Sequence, residues 1–212
     1  MNTMIMRGDL MKILTIILFV LSANADNLFL SASYSLKKVK ISSPSMLIFA
    51  VISTLGTYLS MKFGDFGRNI IPDNFEKYIG SLILIAVGIW TIYETLKPIN
   101  TKKSKSDIAS ISYNNLLNNP EKVDIDFSGT IDAKESVLLG IVLTLNNIAG
   151  GIGAGIANVN IFITCLLTFI LSFIFIILGS WFGKRFSNFF SEKKGGILSG
   201  IIIILIGILI LL

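Results

Sequence analysis

Leu21-Ser22-Ala23-Asn24-Ala25-Asp26-Asn27-Leu28 is a polar interruption inside a long apolar run, and its reading decides the fold. Two readings fit it locally. Arg7 and Lys12, the apolar Ile13–Leu21 and the small Ala23-Asn24-Ala25 supply the charged, apolar and small-residue parts of a secretory signal peptide cleaved before Asp26. The same residues also fit the polar middle of a membrane-crossing helix over 10–36. The second half of the chain separates the two, because Leu143-Thr144-Leu145-Asn146-Asn147-Ile148 carries the same interruption where no signal peptidase site is expected. The interruption is therefore read as part of a retained span, with a backbone break at Asp26 facing the Asn146 region.

Working outward, apolar runs with polar punctuation fall at about 10–36, 45–64, 77–96, 136–158, 159–182 and 195–212. Laying Asp26-Asn27-Leu28 on Asn146-Asn147-Ile148 places Ala32-Ser33-Tyr34-Ser35 on Ile152-Gly153-Ala154-Gly155. With one residue deleted, Phe63-Gly64 falls on Phe182-Gly183 and Gly88 on Gly207. Each half then has three spans, and an odd number forces successive copies to enter the membrane in opposite directions. The expected fold is an all-α integral membrane protein with six transmembrane helices arranged as two inverted three-helix repeats. The first repeat covers 1–97, a cytoplasmic loop covers 98–134, and the second repeat covers 135–212.

Composition supports this class. Of 212 residues, 53% are hydrophobic and 15% charged, against roughly a quarter charged in soluble domains. Histidine is absent and Cys165 is the one cysteine, so His/Cys zinc sites, haem ligation, disulfides and Ser-His-Asp catalysis are excluded, and no enzyme is expected. The loops after spans one, three and five hold 13 of the 18 Lys and Arg residues, which places the long loop in the cytoplasm and both termini outside. The net charge of +5 is then a record of topology rather than a signal for nucleic acid. The partners implied are the lipid bilayer and a divalent cation, and a homo-oligomer is compatible with both.

Asp26 is the only carboxylate inside a predicted span, Glu94 and Glu135 lying at span ends. A buried aspartate costs several kcal/mol in hydrocarbon, so it should face a cavity or partners. Asn24, Asn27 and Ser22 beside it, with Thr144, Asn146 and Asn147 from the second half, make a set of hard oxygen and amide donors suited to Mn²⁺, Mg²⁺ or Ca²⁺. The alternative is that these side chains are interhelical hydrogen-bond glue around a protonated Asp26.

A second constellation precedes span four. Asp124-Ile-Asp-Phe-Ser-Gly-Thr-Ile-Asp-Ala-Lys-Glu135 matches the twelve-residue EF-hand loop. Asp124, Asp126 and Ser128 stand at positions one, three and five, and Gly129 stands at the sharp turn. Thr130 offers its carbonyl, Ile131 at position eight would pair with another apolar segment, Asp132 stands at nine, and Glu135 is the bidentate ligand. Ca²⁺ or Mn²⁺ is the cation expected there. The competing reading is an acidic turn that caps the helix of span four, with Glu135 in its first turn.

Leu21-Ser22 followed by Asp26-Asn27, the Asp-x-Asp-x-Ser-Gly-x-Ile core of 120–135, and Leu139-Gly140-Ile141 leading into Leu143-Thr144-Leu145-Asn146-Asn147 resemble the YtaF group of sporulation membrane proteins. That group is related to the MntP-type manganese exporters of the LysE-like transporter superfamily. The resemblance implies a six-span inner-membrane protein of a spore-forming bacterium, with manganese efflux as the relatives' activity. It also implies an aspartate in the first span of each half, which Asp26 matches and Asn146 replaces. The acidic residues of the exporters' second span have no counterpart between Ser45 and Gly64. The function expected is export of a divalent cation, manganese first, through a polar site at the repeat interface. The alternative is a non-transporting sporulation protein with a calcium-binding cytoplasmic loop.

Overall fold

The computed structural model describes residues 2–72, 75–96, 123, 124, 126, 128–185 and 192–211, with side chains from residue 10 onward except those of 146, 184 and 192–196. Most of the expected 98–134 loop thus lies outside the described residues. These segments are helical apart from one β pair and the turns and short connections between elements. Its elements are α1 (Asn2–Leu36), β1 (Lys40–Ile41), α2 (Ser43–Arg68), α3 (Glu76–Leu96), β2 (Thr130–Ile131), α4 (Ala133–Ile156), α5 (Ile161–Arg185) and α6 (Glu192–Leu211).

The helices turn apolar side chains outward. Leu59, Phe63, Leu82, Trp90 and Phe162 are exposed, while Asn24, Ser45, Thr164, Thr168 and Ser172 are fully buried. That inversion of the soluble pattern suits a bundle solvated by lipid. Stretches Leu10–Leu36, Ser43–Arg68, Glu76–Leu96 and Ile161–Gly183 are each long and apolar enough to cross a membrane. Helix α4 adds a fifth span if its two parts, bent by 50° between Leu145 and Asn147, count as one. The apolar part of α6, Ile197–Leu211, is shorter, and at 1.5 Å per residue it falls below a ~30 Å hydrocarbon layer. The chain is a multi-pass membrane protein.

The expected backbone break at Asp26 is absent, and α1 runs unbroken through the polar segment. The reason is local. Asn24 Nδ2 donates to Val20 O (2.8 Å) and Ser31 Oγ to Asn27 O (2.7 Å), so polar groups are satisfied alongside the helical ladder without interrupting it. The distortion occurs in α4 instead.

Packing is by pairs: α2 lies on α4, α1 on α5 and α3 on α6, with α2–α5, α1–α6 and α3–α4 as further contacts. Small residues set the crossings. A Cβ at Gly64 would overlap the Ile152 carbonyl, and one at Gly183 the Ala32 carbonyl. In the same way Gly151 meets Ser60 and Gly179 meets Ser31. Helices α1 and α4 also end alike. Val39 N donates to Tyr34 O and Val159 N to Ala154 O, across Lys38 (φ 64°) and Asn158 (φ 59°) in the left-handed region.

Two apolar layers bracket a polar one. Leu30, Tyr34, Ile41, Phe49, Val123, Ile131, Leu139 and Leu143 form the layer at the β1–β2 end. Phe19, Ala23, Met61, Leu84, Ala154 and Ile203 form the other.

Candidate functional site

Between these layers α1 presents two polar faces. Three- and four-residue spacing puts Phe19, Ser22, Ala23 and Asp26 on one side and Asn24, Asn27 and Ser31 on another. The first face looks toward α4. Asp26 is 6% exposed, and Asn147 Nδ2 lies 3.5 Å from its Oδ2, the outer limit of a hydrogen bond. The same Nδ2 donates to Ala23 O at 2.9 Å. Asn147 therefore reaches across the bundle to the polar segment of α1.

Two cavities flank Asn147, each about the size of one water molecule. One is lined by Ser22, Thr91, Ser199 and Gly150 among others; there Ser22 and Ser199 hydroxyls are 2.9 Å apart. The other is lined by Ser53, Gly56, Thr57, Ser60 and Thr144. The Thr144 hydroxyl is buried without a hydrogen-bond partner, an uncompensated group facing a space that a water or cation oxygen shell could occupy.

The second face of α1 is closed. Asn24 Oδ1 accepts from Ser172 Oγ (2.6 Å) and from Asn27 Nδ2 (3.2 Å), and Asn27 Nδ2 also reaches Ser172 Oγ (3.3 Å). Of the expected transport set, Asn147 and Thr144 line the cavities and Asp26 is linked to them through Asn147, whereas Asn24 and Asn27 join α1 to α5. Asn146 belongs to the backbone of α4 at its bend, and its side chain lies outside the described set. Hydroxyls Ser53, Thr57, Ser60, Ser172 and Ser199 were not singled out from sequence. Their signal was present as Ser and Thr at helical spacing in otherwise apolar spans.

The acidic loop forms a separate cluster. One carboxylate oxygen each from Asp124, Asp126 and Glu135 lies within 4.8 Å of the others. Asp124 Oδ1 accepts from Ser128 N (2.9 Å) and Oδ2 from Gly129 N (2.8 Å), and Gly129 has φ 73°, the conformation expected at position six. Ser128 Oγ donates to Thr130 O (2.9 Å). Hydrogen bonds from Ser128, first its side chain and then its backbone, hold Asp126 below the usual carboxylate range. Glu135 also caps the helix, because Asp132 N donates to its Oε2 (3.1 Å), and exposed Asp132 lies outside the carboxylate cluster. Ile125 and Phe127 lie outside the described residues. Ile131 pairs with Ile41, and Lys40 with Thr130, as parallel strands.

A probable sporulation protein, YtaF, of Bacillus subtilis (strain 168) is 29% identical over 207 residues, covering 93% of this chain and 99% of its own. Putative manganese efflux pumps MntP of Crocosphaera subtropica (23% identity, 91% of this chain and 90% of theirs) and Methanobrevibacter smithii (33% identity, 50% and 56%) also match. No solved structure matches. The family model described as Mntp, putative manganese efflux pump, matches residues 35–211, and the chain belongs to that family.

Proposed function

We propose that this protein exports a divalent cation, Mn²⁺ first, through the polar layer between the two halves of an inner-membrane bundle of six spans. The carrying observation is Asp26, a carboxylate buried within the apolar helix α1, with Asn147 beside it and water-sized cavities adjoining Asn147. Asp26 supplies the charge. Asn147, Thr144 and the α2 hydroxyls supply neutral oxygens, and Asn146 at the α4 bend completes the set as a ligand. Asn24 and Asn27 hold the α1 segment in register against α5. One carboxylate among neutral donors binds a hard cation weakly, which suits a carrier that must release its cargo.

The reading of two inverted repeats is supported by the exchange of contacts. Ala32 corresponds to Ile152 and Gly64 to Gly183, and the contacts Gly64–Ile152 and Gly183–Ala32 are each other's images. The pairs Gly151–Ser60 and Gly179–Ser31, and the identical ends of α1 and α4, follow the same correspondence. A pseudo-two-fold axis would relate such halves and allow the site to face each side in turn. The basic-residue distribution supports a cytoplasmic 98–134 loop and external termini. In that loop and at the start of α4, Asp124, Asp126, Ser128, Thr130, Asp132 and Glu135 are the ligands proposed for a cytosolic Ca²⁺ or Mn²⁺.

Purified protein reconstituted in vesicles and offered Mn²⁺, Ca²⁺ and Mg²⁺ tests the proposal. Saturable flux of Mn²⁺ above protein-free vesicles is expected. Absence of flux for all three cations would favour a non-transporting sporulation role.

A further inference from the structure

We infer that the segment carrying Val123 and Ile131 is a plug that seals one end of the bundle, and that it must leave its seat for the polar layer to open on that side. This rests on the reading of the polar layer as a transport site. The two apolar layers differ in origin: the one containing Phe19 and Met61 has a buried core made entirely of helix side chains, while the other incorporates linker residues. Val123 is 1% exposed and Ile131 0%, and both pack among Leu30 and Tyr34 of α1, Phe49 of α2 and Leu139 and Leu143 of α4. Phe49 stands about one turn from Ser53 of the cavities, Leu139 and Leu143 stand within about a turn and a half of Thr144, and Leu30 and Tyr34 stand about two and three turns from Ala23.

Backbone bonds fix the plug. Lys40 N donates to Gly129 O (3.0 Å), Ser42 N to Ile131 O (3.4 Å) and Ser45 Oγ to the same carbonyl (2.6 Å). All of these partners belong to the α1–α2 connection or the start of α2, so the linker grips the first half while leading directly into α4 of the second. The corresponding connection between α4 and α5 shows no strand pairing among the described residues. On the repeat reading the two ends would otherwise be equivalent, so the seated Val123 and Ile131 close one end alone. Separation of the halves at that end must break the Ile41–Ile131 pairing or carry it as a unit out of the layer.

The pairing can be locked. Neighbouring strands lie roughly 4.8 Å apart, inside the roughly 4.4–6.8 Å between Cα atoms that a disulfide spans. In the full chain carrying Cys165→Ser, the pair Ile41→Cys and Ile131→Cys is combined with Thr57→Cys as a reporter in the cavity. Labelling of the reporter by a membrane-impermeant maleimide is followed in inverted and right-side-out vesicles, with the bridge formed and after reduction. The expected result is labelling in inverted vesicles that falls at least tenfold when the bridge forms and returns on reduction. A reporter-only variant should ignore the oxidant. Equal labelling with and without the bridge in both vesicle types, or no labelling in any state, would overturn the plug. Bridge-dependent labelling from the right-side-out face would keep the plug and reverse the orientation. Bridge-dependent labelling, together with no Mn²⁺ flux through a reduced protein that keeps Thr57, would leave the plug standing and retire the export reading.

Discussion

Gly88 of α3 and Gly200 of α6 test the packing most cleanly, because each faces the other's backbone. A Cβ added at Gly88 would sit 2.6 Å from Gly200 O, and one added at Gly200 would sit 2.7 Å from Gly88 O. Ordinary carbon–oxygen contact needs more than 3 Å, so either alanine must part the helices by roughly 0.5–1 Å, forfeiting about a quarter to a half of the dispersion well at the contact. Overpacking of this kind costs about 1–3 kcal/mol, from which alanine recovers up to about 1 kcal/mol through helix propensity. A net loss of about 1 kcal/mol, the middle of a range of about 0–2 kcal/mol, is expected for Gly88→Ala and for Gly200→Ala. Gly207→Ala, whose Cβ would meet Ser81 O at 2.9 Å across the same helix pair, should behave alike. One separation relieves both clashes, so the Gly88→Ala/Gly200→Ala double variant should lose less than the sum, with a coupling of at least about 0.5 kcal/mol. Gly67→Ala is the control: nothing lies within 4 Å of its added Cβ, and it should be neutral or stabilising. Equilibrium unfolding in detergent micelles gives the comparison. Strict additivity, or single variants more stable than wild type, would refute the α3–α6 crossing.

Further expectations concern the polar layer and the loop. Ser172→Ala removes one of two donors to Asn24 Oδ1 and should cost about 1 kcal/mol or less while Mn²⁺ flux persists; loss of flux with normal stability would move Asn24 from the helix interface to the transport site. Glu135→Gln should weaken Ca²⁺ or Mn²⁺ binding in calorimetry far more than Lys134→Gln, and equal heats would leave the loop as a cap only. Asp126 should titrate below its ordinary 3.8. The stabilisation from its Ser128 hydrogen bonds is present above the ordinary value and lost as pH falls through the lower folded value. Carboxyl NMR should show Ser128→Ala raising that titration, and no change would remove the Ser128 side chain as its leading cause.

Legibility of the sequence followed the strength of each physical signal. The helices were readable because lipid demands long apolar runs: the expected limits fell within four residues of those of α2 to α6, α1 begins eight residues before its expected start, and four stretches, or five with the bent α4, are long enough to cross. The break placed at Asp26 was not, because Asn and Ser can bond to carbonyls one turn back and leave a helix intact. Reading Ser22 to Asn27 as interrupted backbone also hid the two-faced arrangement. Continuous helical spacing would have separated Asp26 from Asn24 and Asn27. The expected left-handed turn at Gly129 and the apolar pairing of Ile131 were visible in the loop motif, yet the partner Ile41 was not. It lies in a short connection whose pairing depends on tertiary contacts rather than local pattern.

The most direct test is Mn²⁺ flux through Asp26→Asn, which keeps side-chain volume and removes the one charge placed in the polar layer. Wild-type vesicles should accumulate Mn²⁺ and the variant should not, while its unfolding midpoint and yield stay near wild type and Asn146→Asp binds the cation more tightly. Flux through Asp26→Asn equal to wild type would contradict a carboxylate-centred site between the halves.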